Sequence, residues 1–353
     1  VHSFAPHPIG YYFLVYIVIS LVVYIVTLIS NKEFKELIKA DEEEFKFLSR
    51  TGFVLISNWL FLAISLAIAF GTLTPLFTGA NYAISYYNRA TAPFFMLIFL
   101  TSGYGLLTGF KISNMKKYKI RLIISFAAAV IGVVIMAAFG YNNKMSLALN
   151  FTIFFSAAAV LIRTFTSLKS CGLKSILQAN RFYGAMIIHI GLVIIAFGIV
   201  MSSFYMFKGE YSVKPEFVLD YKGYVFQVGS YSNLQEKNYI SEFVPIKIYK
   251  DDKLITTAYP EIRTYNRHST EKFREVAYYS QLTGDLYFAL YNINHNDLSM
   301  VILFIHQPFV SWIWAGCLIM VIGAFFGAFV FKRKEQDIVN KKSYFVAENN
   351  SHI

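Results

Sequence analysis

His189 is the residue whose surroundings most constrain the chemistry this chain can do. It stands in Phe182–Phe204, an otherwise apolar run long enough to cross a bilayer as a helix, with no acid or base beside it. At about 1.5 Å of rise per residue it lies roughly 10 Å in from the Arg181 end. An ionisable side chain at that depth is costly to keep and marks a functional position. A neutral imidazole has three uses there: relaying a proton, hydrogen-bonding a neighbouring helix, or binding haem iron as an axial ligand. The residues alone leave those three open.

His268, His295 and His306 lie in a different part of the chain, widely spaced and without a paired metal-ligand pattern, and read as surface or strand histidines. Cys171 falls in a basic, inside loop and Cys317 inside the last expected span, so under this topology they cannot meet as a disulfide, and two cysteines are too few for a framework. There is no Cys-x-x-Cys-His sequence, so the chain is not itself a c-type cytochrome.

The elements that hold His189 follow from composition. Hydrophobic residues make up 56% of the 353 and aromatics 18%, and the mean hydropathy is +0.49, which places the chain among integral membrane proteins. Seven spans are expected, at about 11–30, 53–76, 92–110, 121–140, 146–164, 182–204 and 309–331. The loops 31–50, 111–121 and 163–181 and the tail opening Lys332-Arg333-Lys334 are rich in lysine and arginine, whereas 77–91 and 141–145 carry only Arg89 and Lys144. Basic loops stay on the cytoplasmic side, or in the matrix of a mitochondrion, so 205–307 faces the periplasm or its equivalent. Within the first basic loop, Phe34, Leu37, Ile38, Phe45 and Leu48 alternate with charges, as in a helix lying on the membrane.

Residues 205–307 hold eleven Lys+Arg against twelve Asp+Glu, so the net charge of +11 orients the chain in a membrane and is no nucleic-acid footprint. Alternating runs at 217–221, 224–228, 243–249, 254–259, 285–291 and 299–305, with turns at Lys222-Gly223 and 250–253, predict a small β-sandwich or open barrel. The expected architecture is a membrane α-helical bundle of about seven transmembrane helices with this all-β domain inserted between the last two. Its parts are 1–204 (six helices), 205–307 (β domain), 308–331 (last helix) and 332–353 (tail).

Several segments, in order along about residues 1–331, resemble the C-terminal half of CcmF-type haem lyases of cytochrome c maturation. They are Val1-His2-Ser3-Phe4-Ala5, Ser49-Arg50 with Asn58, Gly71-Thr72-Leu73-Thr74-Pro75-Leu76, and Tyr183-Gly184 with His189-Ile190-Gly191. Pro260-Glu261-Ile262-Arg263-Thr264-Tyr265, Gly284-Asp285-Leu286-Tyr287 and Pro308 through Trp312-Ile313-Trp314-Ala315-Gly316 complete the set. Tyr87 and Asn88 also match, although the loop before them lacks the glycine and proline usual in the family.

The resemblance implies a membrane subunit that takes haem from the carrier CcmE and helps join its vinyl groups to the Cys-x-x-Cys-His thiols of apocytochrome c. A CcmH-type apocytochrome-binding thiol protein is a further implied partner, and the bacterial inner membrane the implied location. His189 would be an axial ligand of a membrane haem b, and His2 an external haem ligand. Arg50, Asn58, Tyr87, Asn88, Tyr183, Gly184, Gly191, Trp312 and Trp314 would support the site. No catalytic residue is assigned. The family's tryptophan-rich haem-handling segment and first transmembrane histidine would lie upstream of Val1, so the chain is expected to be a fragment or split-gene product, inactive alone. A different class of function, export of haem or another small molecule, would have His189 line a pathway instead. An assembly scaffold, with the β domain docking partners, is the third expectation.

Overall fold

A computed structural model describes residues 9–30, 48–79, 82–109, 115–266 and 272–329. His2, His268, nearly all of the amphipathic segment at 34–48 and the tail lie outside them. The helices are α1 (Ile9–Ser30), α2 (Arg50–Thr78), α3 (Ile84–Leu107), α4 (Met115–Ala138), α5 (Lys144–Cys171), the single turn α6 (Ser175–Gln178), α7 (Asn180–Tyr205) and α8 (Val310–Ala328). Among the described residues, six helices are long and apolar enough to cross a membrane, and α1 contributes a shorter apolar run, Leu14–Thr27. The chain is a multi-pass membrane protein.

One compact unit comprises residues up to Met186 together with Gly327 onward, and a second runs from Ile187 to Phe326. In the first, α2 packs on α3, α3 on α5 and α5 on α4. Local chemistry sets the helix ends. Ser49 caps α2 by accepting from the Gly52 N–H, and Gly79 closes it at φ 70°, a left-handed conformation that only glycine adopts freely. Asn143 caps α5 by accepting from the N–H groups of Met145 and Ser146. The expected span 92–110 starts too late: α3 begins at Ile84, so Tyr87 and Asn88 belong to its first turns and not to a loop. Polar and aromatic residues there hid the start from hydropathy, but Tyr82, Tyr86 and Tyr87 pack ring on ring and the Tyr86 hydroxyl donates to the Ala67 carbonyl of α2.

Among its described residues the second unit holds twelve antiparallel strands in three four-stranded sheets. The first sheet has the order β1 (Phe207–Val213), β12 (Ser299–Pro308), β11 (Gly284–Asn294), β10 (Ala277–Tyr279). The second has β2 (Val218–Tyr221), β3 (Tyr224–Val228), β6 (Ile246–Lys250), β7 (Lys253–Ala258), and the third β4 (Ser232–Gln235), β5 (Tyr239–Phe243), β8 (Glu261–Tyr265), β9 (Lys272–Glu275). Strands β3 and β6 alternate inward and outward, as a half-buried strand must, and bury Phe226, Ile246 and Ile248 against Phe288, Ile302 and Phe304. The hairpin turns at Lys222-Gly223 and Asp251-Asp252 have both central residues at positive φ, the twist-matched geometry for two-residue loops. The single strand expected over 243–249 is instead two, β5 and β6, in different sheets. Pro245 lies at the break, where it has no N–H to give to a ladder.

Candidate functional site

The expected site residues divide between scaffolding roles and one chemically distinct position. Arg50 is scaffolding. Its Nε donates to the Gly105 carbonyl at 3.0 Å, its guanidinium donates again to the Thr108 carbonyl at 2.9 Å, and its own N–H to Gly109 at 2.8 Å. A cation thus closes the C-terminal end of α3, where the helix dipole is negative and the last carbonyls lack partners. Gly71, near the other end of α2, gives room for Tyr86 and Tyr87: a Cβ there would come within 2.6 and 2.8 Å of the two rings. Asn58 is exposed on the side of α2 next to Ser57, whose hydroxyl bonds Thr101 of α3 at 2.9 Å, and Asn88 is exposed on α3. Tyr183 is buried in α7 with its hydroxyl shared between Ser175 at 2.7 Å and Ser167 at 3.1 Å. Gly184 is buried one residue further on.

Within the second unit, α7 and α8 cross at glycine. A Cβ on Gly191 would lie 2.7 Å from the Gly316 carbonyl oxygen and 2.9 Å from the Met320 nitrogen, and a Cβ on Gly316 would lie 2.7 Å from the Gly191 carbonyl oxygen. Gly198, one heptad after Gly191, faces the Phe309 carbonyl and Ile313. Small residues at this spacing on one face let two membrane helices meet backbone to backbone.

His189 is two residues from Gly191, about 200° around the helix, and so sits on the opposite face. That face carries Val193, Ala196 and Val200, and no other ionisable group. The imidazole is half-buried. The glycine crossing therefore fixes α7 against α8 and leaves the histidine side of α7 turned away from that contact. An apolar face bearing one imidazole and no carboxylate is chemically suited to hold a planar apolar cofactor through its metal.

The two tryptophans do unlike things. Trp312 packs on Phe197 and Phe309, and its indole N–H donates to the Leu282 carbonyl at 2.9 Å. Ser311 donates to the Gln281 carbonyl at 3.0 Å, and the Phe309 N–H to that of Thr283 at 3.2 Å. Three successive carbonyls of the β10–β11 loop are thus held by the start of α8. Phe197 is about 12 Å along α7 from His189, so Trp312 serves this junction and not the histidine. Trp314 is 74% exposed. Ser311 and Gly316 lay inside a matched segment, but only the carbonyl partners reveal what they do.

The β domain has histidines of its own. His295 is exposed at the β11–β12 turn, where its Nε2 lies 3.3 Å from Glu242. His306, near the end of β12, bonds Tyr221 through Nδ1 at 3.0 Å. Burial pushes the His306 pKa down to about 4; Lys222 adds to the depression and Asp285 opposes it. The unfolded chain, with an ordinary imidazole near 6.5, takes up this proton first as pH falls. His306 therefore costs stability progressively from about pH 6.5 down to about 4, and nothing above that window. Replacing it in His306→Phe should flatten the acid side of the melting temperature measured between pH 7 and 4. An unchanged acid slope would show that the group titrates normally in the fold. No group of three or more metal-ligating side chains occurs among the described residues.

Residues 205–308 match a family model described as the CcmF C-terminal β-sandwich. The cytochrome c-type biogenesis protein CcmF of Pseudomonas aeruginosa is 28% identical over 79% of this chain and 44% of its own length. The protein of the same name from Escherichia coli K12 is 26% identical over 78% of this chain and 43% of its own. The solved structure of a cytochrome c haem lyase CcmF superposes with a TM-score of 0.68 at 16% identity, covering 81% of this chain and 46% of the other. The chain spans less than half the length of the curated relatives it matches.

Proposed function

We propose that this chain, a CcmF-type C-terminal half by its likeness along four-fifths of its length, is a membrane subunit of cytochrome c maturation that binds haem through His189. The observation that carries the reading is the placement of the one histidine in the predicted spans on an otherwise apolar face of α7, opposite a glycine crossing that fixes the helix. The activity would be thioether formation between haem vinyl groups and Cys-x-x-Cys-His thiols, carried out by a complex and not by these residues alone. When bound, haem b supplies a redox-active iron whose potential its axial ligands and its dry surroundings set.

The protein's own residues contribute position and exclusion. His189 offers a neutral nitrogen; Val193, Ala196 and Val200 keep water from that side; Gly191 and Gly316 hold the helix that carries them. A second axial ligand would come from the other half of the assembly, since no other predicted span contains a histidine. His2 is proposed as the external haem ligand, with haem delivered by CcmE and apocytochrome c presented by a CcmH-type thiol protein. The distribution of basic loops favours the inner membrane with the β domain in the periplasm.

Co-expression with the upstream half of a CcmF-type protein tests this reading. The co-purified pair should show a b-type absorbance band and restore covalent haem attachment in a strain lacking the natural subunit. A pair that assembles without either signal would exclude the reading.

A further inference from the structure

The β domain joins its membrane helices with almost no slack. One residue, Met206, separates α7 from β1, and one, Phe309, separates β12 from α8. Strand β11 starts at that same end of the sheet, with Gly284 opposite Pro308, and β10 finishes there, with Tyr279 opposite Leu286. The β10–β11 loop, residues 280–283, therefore belongs to the end of the domain that adjoins the bilayer.

The depth of that loop follows from α8. Its 19 residues rise about 28 Å, close to the ~30 Å of a hydrocarbon core, so the helix spans with little to spare and Val310 lies at the headgroup boundary. The Trp312 indole N–H holds the Leu282 carbonyl at 2.9 Å, which brings Leu282 to the level of the third residue of the helix. Trp314, exposed about 200° around α8 from Trp312, is the residue type that concentrates at this level of a membrane.

Leu282 is 79% exposed, more than any other large apolar side chain among the described residues. Next come Phe139, Leu173 and Phe77, and all three lie at ends of membrane helices. The run Val276–Gly284 around Leu282 carries no charge. Asp285 follows it, but that carboxylate is buried and accepts from the Ser280 and Tyr287 hydroxyls. Charge at this end comes from the turns of the second sheet: Lys222, Lys250 and Lys253 against Asp251 and Asp252. Lys250 Nζ donates to the Tyr224 hydroxyl at 3.3 Å, and that hydroxyl donates to Gln281 at 2.8 Å, so these turns and the loop share one base.

We propose that the β10–β11 loop is a lipid anchor: Leu282 enters the hydrocarbon edge of the adjoining leaflet, with Gln281 and Thr283 at headgroup level, and the bilayer seats the base of the domain. Phospholipid is the occupant because the exposed leucine is continuous with the lipid-facing surface of a span, through a hydrogen bond to that span's first turn. Lysines of the neighbouring turns suit the phosphate layer just above. The two chain junctions lie on adjacent strands, β1 and β12, and by themselves would leave the domain free to rock about the line between them. The loop lies off that line, on the β10 side of the sheet, so a leucine held in lipid there opposes the rocking.

The test places an environment-sensitive label at the loop tip of the full chain in nanodiscs of phosphatidylethanolamine and phosphatidylglycerol. Cys171 and Cys317, both exposed, are first changed to serine. Leu282→Cys then carries a nitrobenzoxadiazole label; its side chain makes none of the loop's hydrogen bonds, so the junction with α8 is preserved. Leu298→Cys is the control, an exposed leucine at the far end of the ten-residue β12, about 33 Å away along the strand. The label at 282 should be quenched by phospholipid bearing a nitroxide high on its acyl chain, and at least about threefold less by aqueous iodide than the label at 298. Iodide quenching at 282 equal to that at 298 would put the loop in water and overturn the proposal. Protection from iodide without quenching by the nitroxide lipid would mean that protein covers the leucine, and would overturn it as well.

Discussion

If His189 holds haem as proposed, replacing it with alanine is expected to reduce the low-spin, bis-histidine spectrum of the co-expressed assembly to background. The cause is geometric as well as chemical. Val193, Ala196 and Val200, which share the histidine's face of α7, offer no nitrogen, so none of them can restore a second imidazole at the iron. Alanine is a good helix former and removes only the ring, so α7 should persist and the glycine crossing on the far side of the helix should be untouched. His295→Ala, at an exposed turn against Glu242, should leave the spectrum as it is, and His268→Ala likewise. His2→Ala should spare the membrane spectrum and lower the yield of mature cytochrome c. The measurement is the reduced-minus-oxidised difference spectrum of purified, co-expressed protein. An unaltered spectrum in His189→Ala would return the histidine to one of its other uses, a helix contact or a proton path.

The second large effect is structural. Gly191→Ala adds one methyl group, and that methyl would meet backbone atoms of α8: the Gly316 oxygen at 2.7 Å and the Met320 nitrogen at 2.9 Å. Backbone cannot rotate aside as the end of a side chain can, so α7 and α8 must separate along the crossing. Overpacking of this kind costs typically about 1–3 kcal/mol, and more where both partners are rigid. A drop of roughly 2–4 °C in the melting temperature is expected. Gly105→Ala is the control: its new Cβ would meet Phe53 Cβ at 3.4 Å, an ordinary contact, and alanine improves helix propensity. Equal melting temperatures for the two variants would mean that the crossing adjusts freely.

What the sequence made legible follows what burial wrote into it. Long apolar runs announced the helices because lipid demands twenty or so of them in a row, and β3, β6 and β11 announced themselves because one or both faces pack into the Phe226–Phe288–Phe304 core. The third sheet buries so little that strands β4, β5, β8 and β9 carry almost no alternation of apolar and polar residues; β4, β8 and β9 went unread and only the end of β5 was anticipated. The start of α3 was missed for the opposite reason: tyrosines and an asparagine occupy turns that are helical because of ring packing on α2, a tertiary cause. His189 stood out at once, since a lone ionisable residue in an apolar run needs no partner to be visible. Arg50 and Trp312 did not disclose their roles, because both act on carbonyl groups, and any residue supplies a carbonyl.

That last point has a consequence for how the junction between β10–β11 and α8 can drift over generations. Phe309, Ser311 and Trp312 hold the loop 281–283 by its main chain alone. Selection acting through those contacts is blind to the side chains of Gln281, Leu282 and Thr283. The Gln281 side chain has a separate tie, accepting from the Tyr224 hydroxyl at 2.8 Å, while Leu282 is exposed. Leu282 is thus free to be exchanged for whatever suits the adjoining lipid or partner, while an insertion of even one residue there would shift all three carbonyls out of reach. Relatives should tolerate spelling changes in this loop and refuse changes in its length.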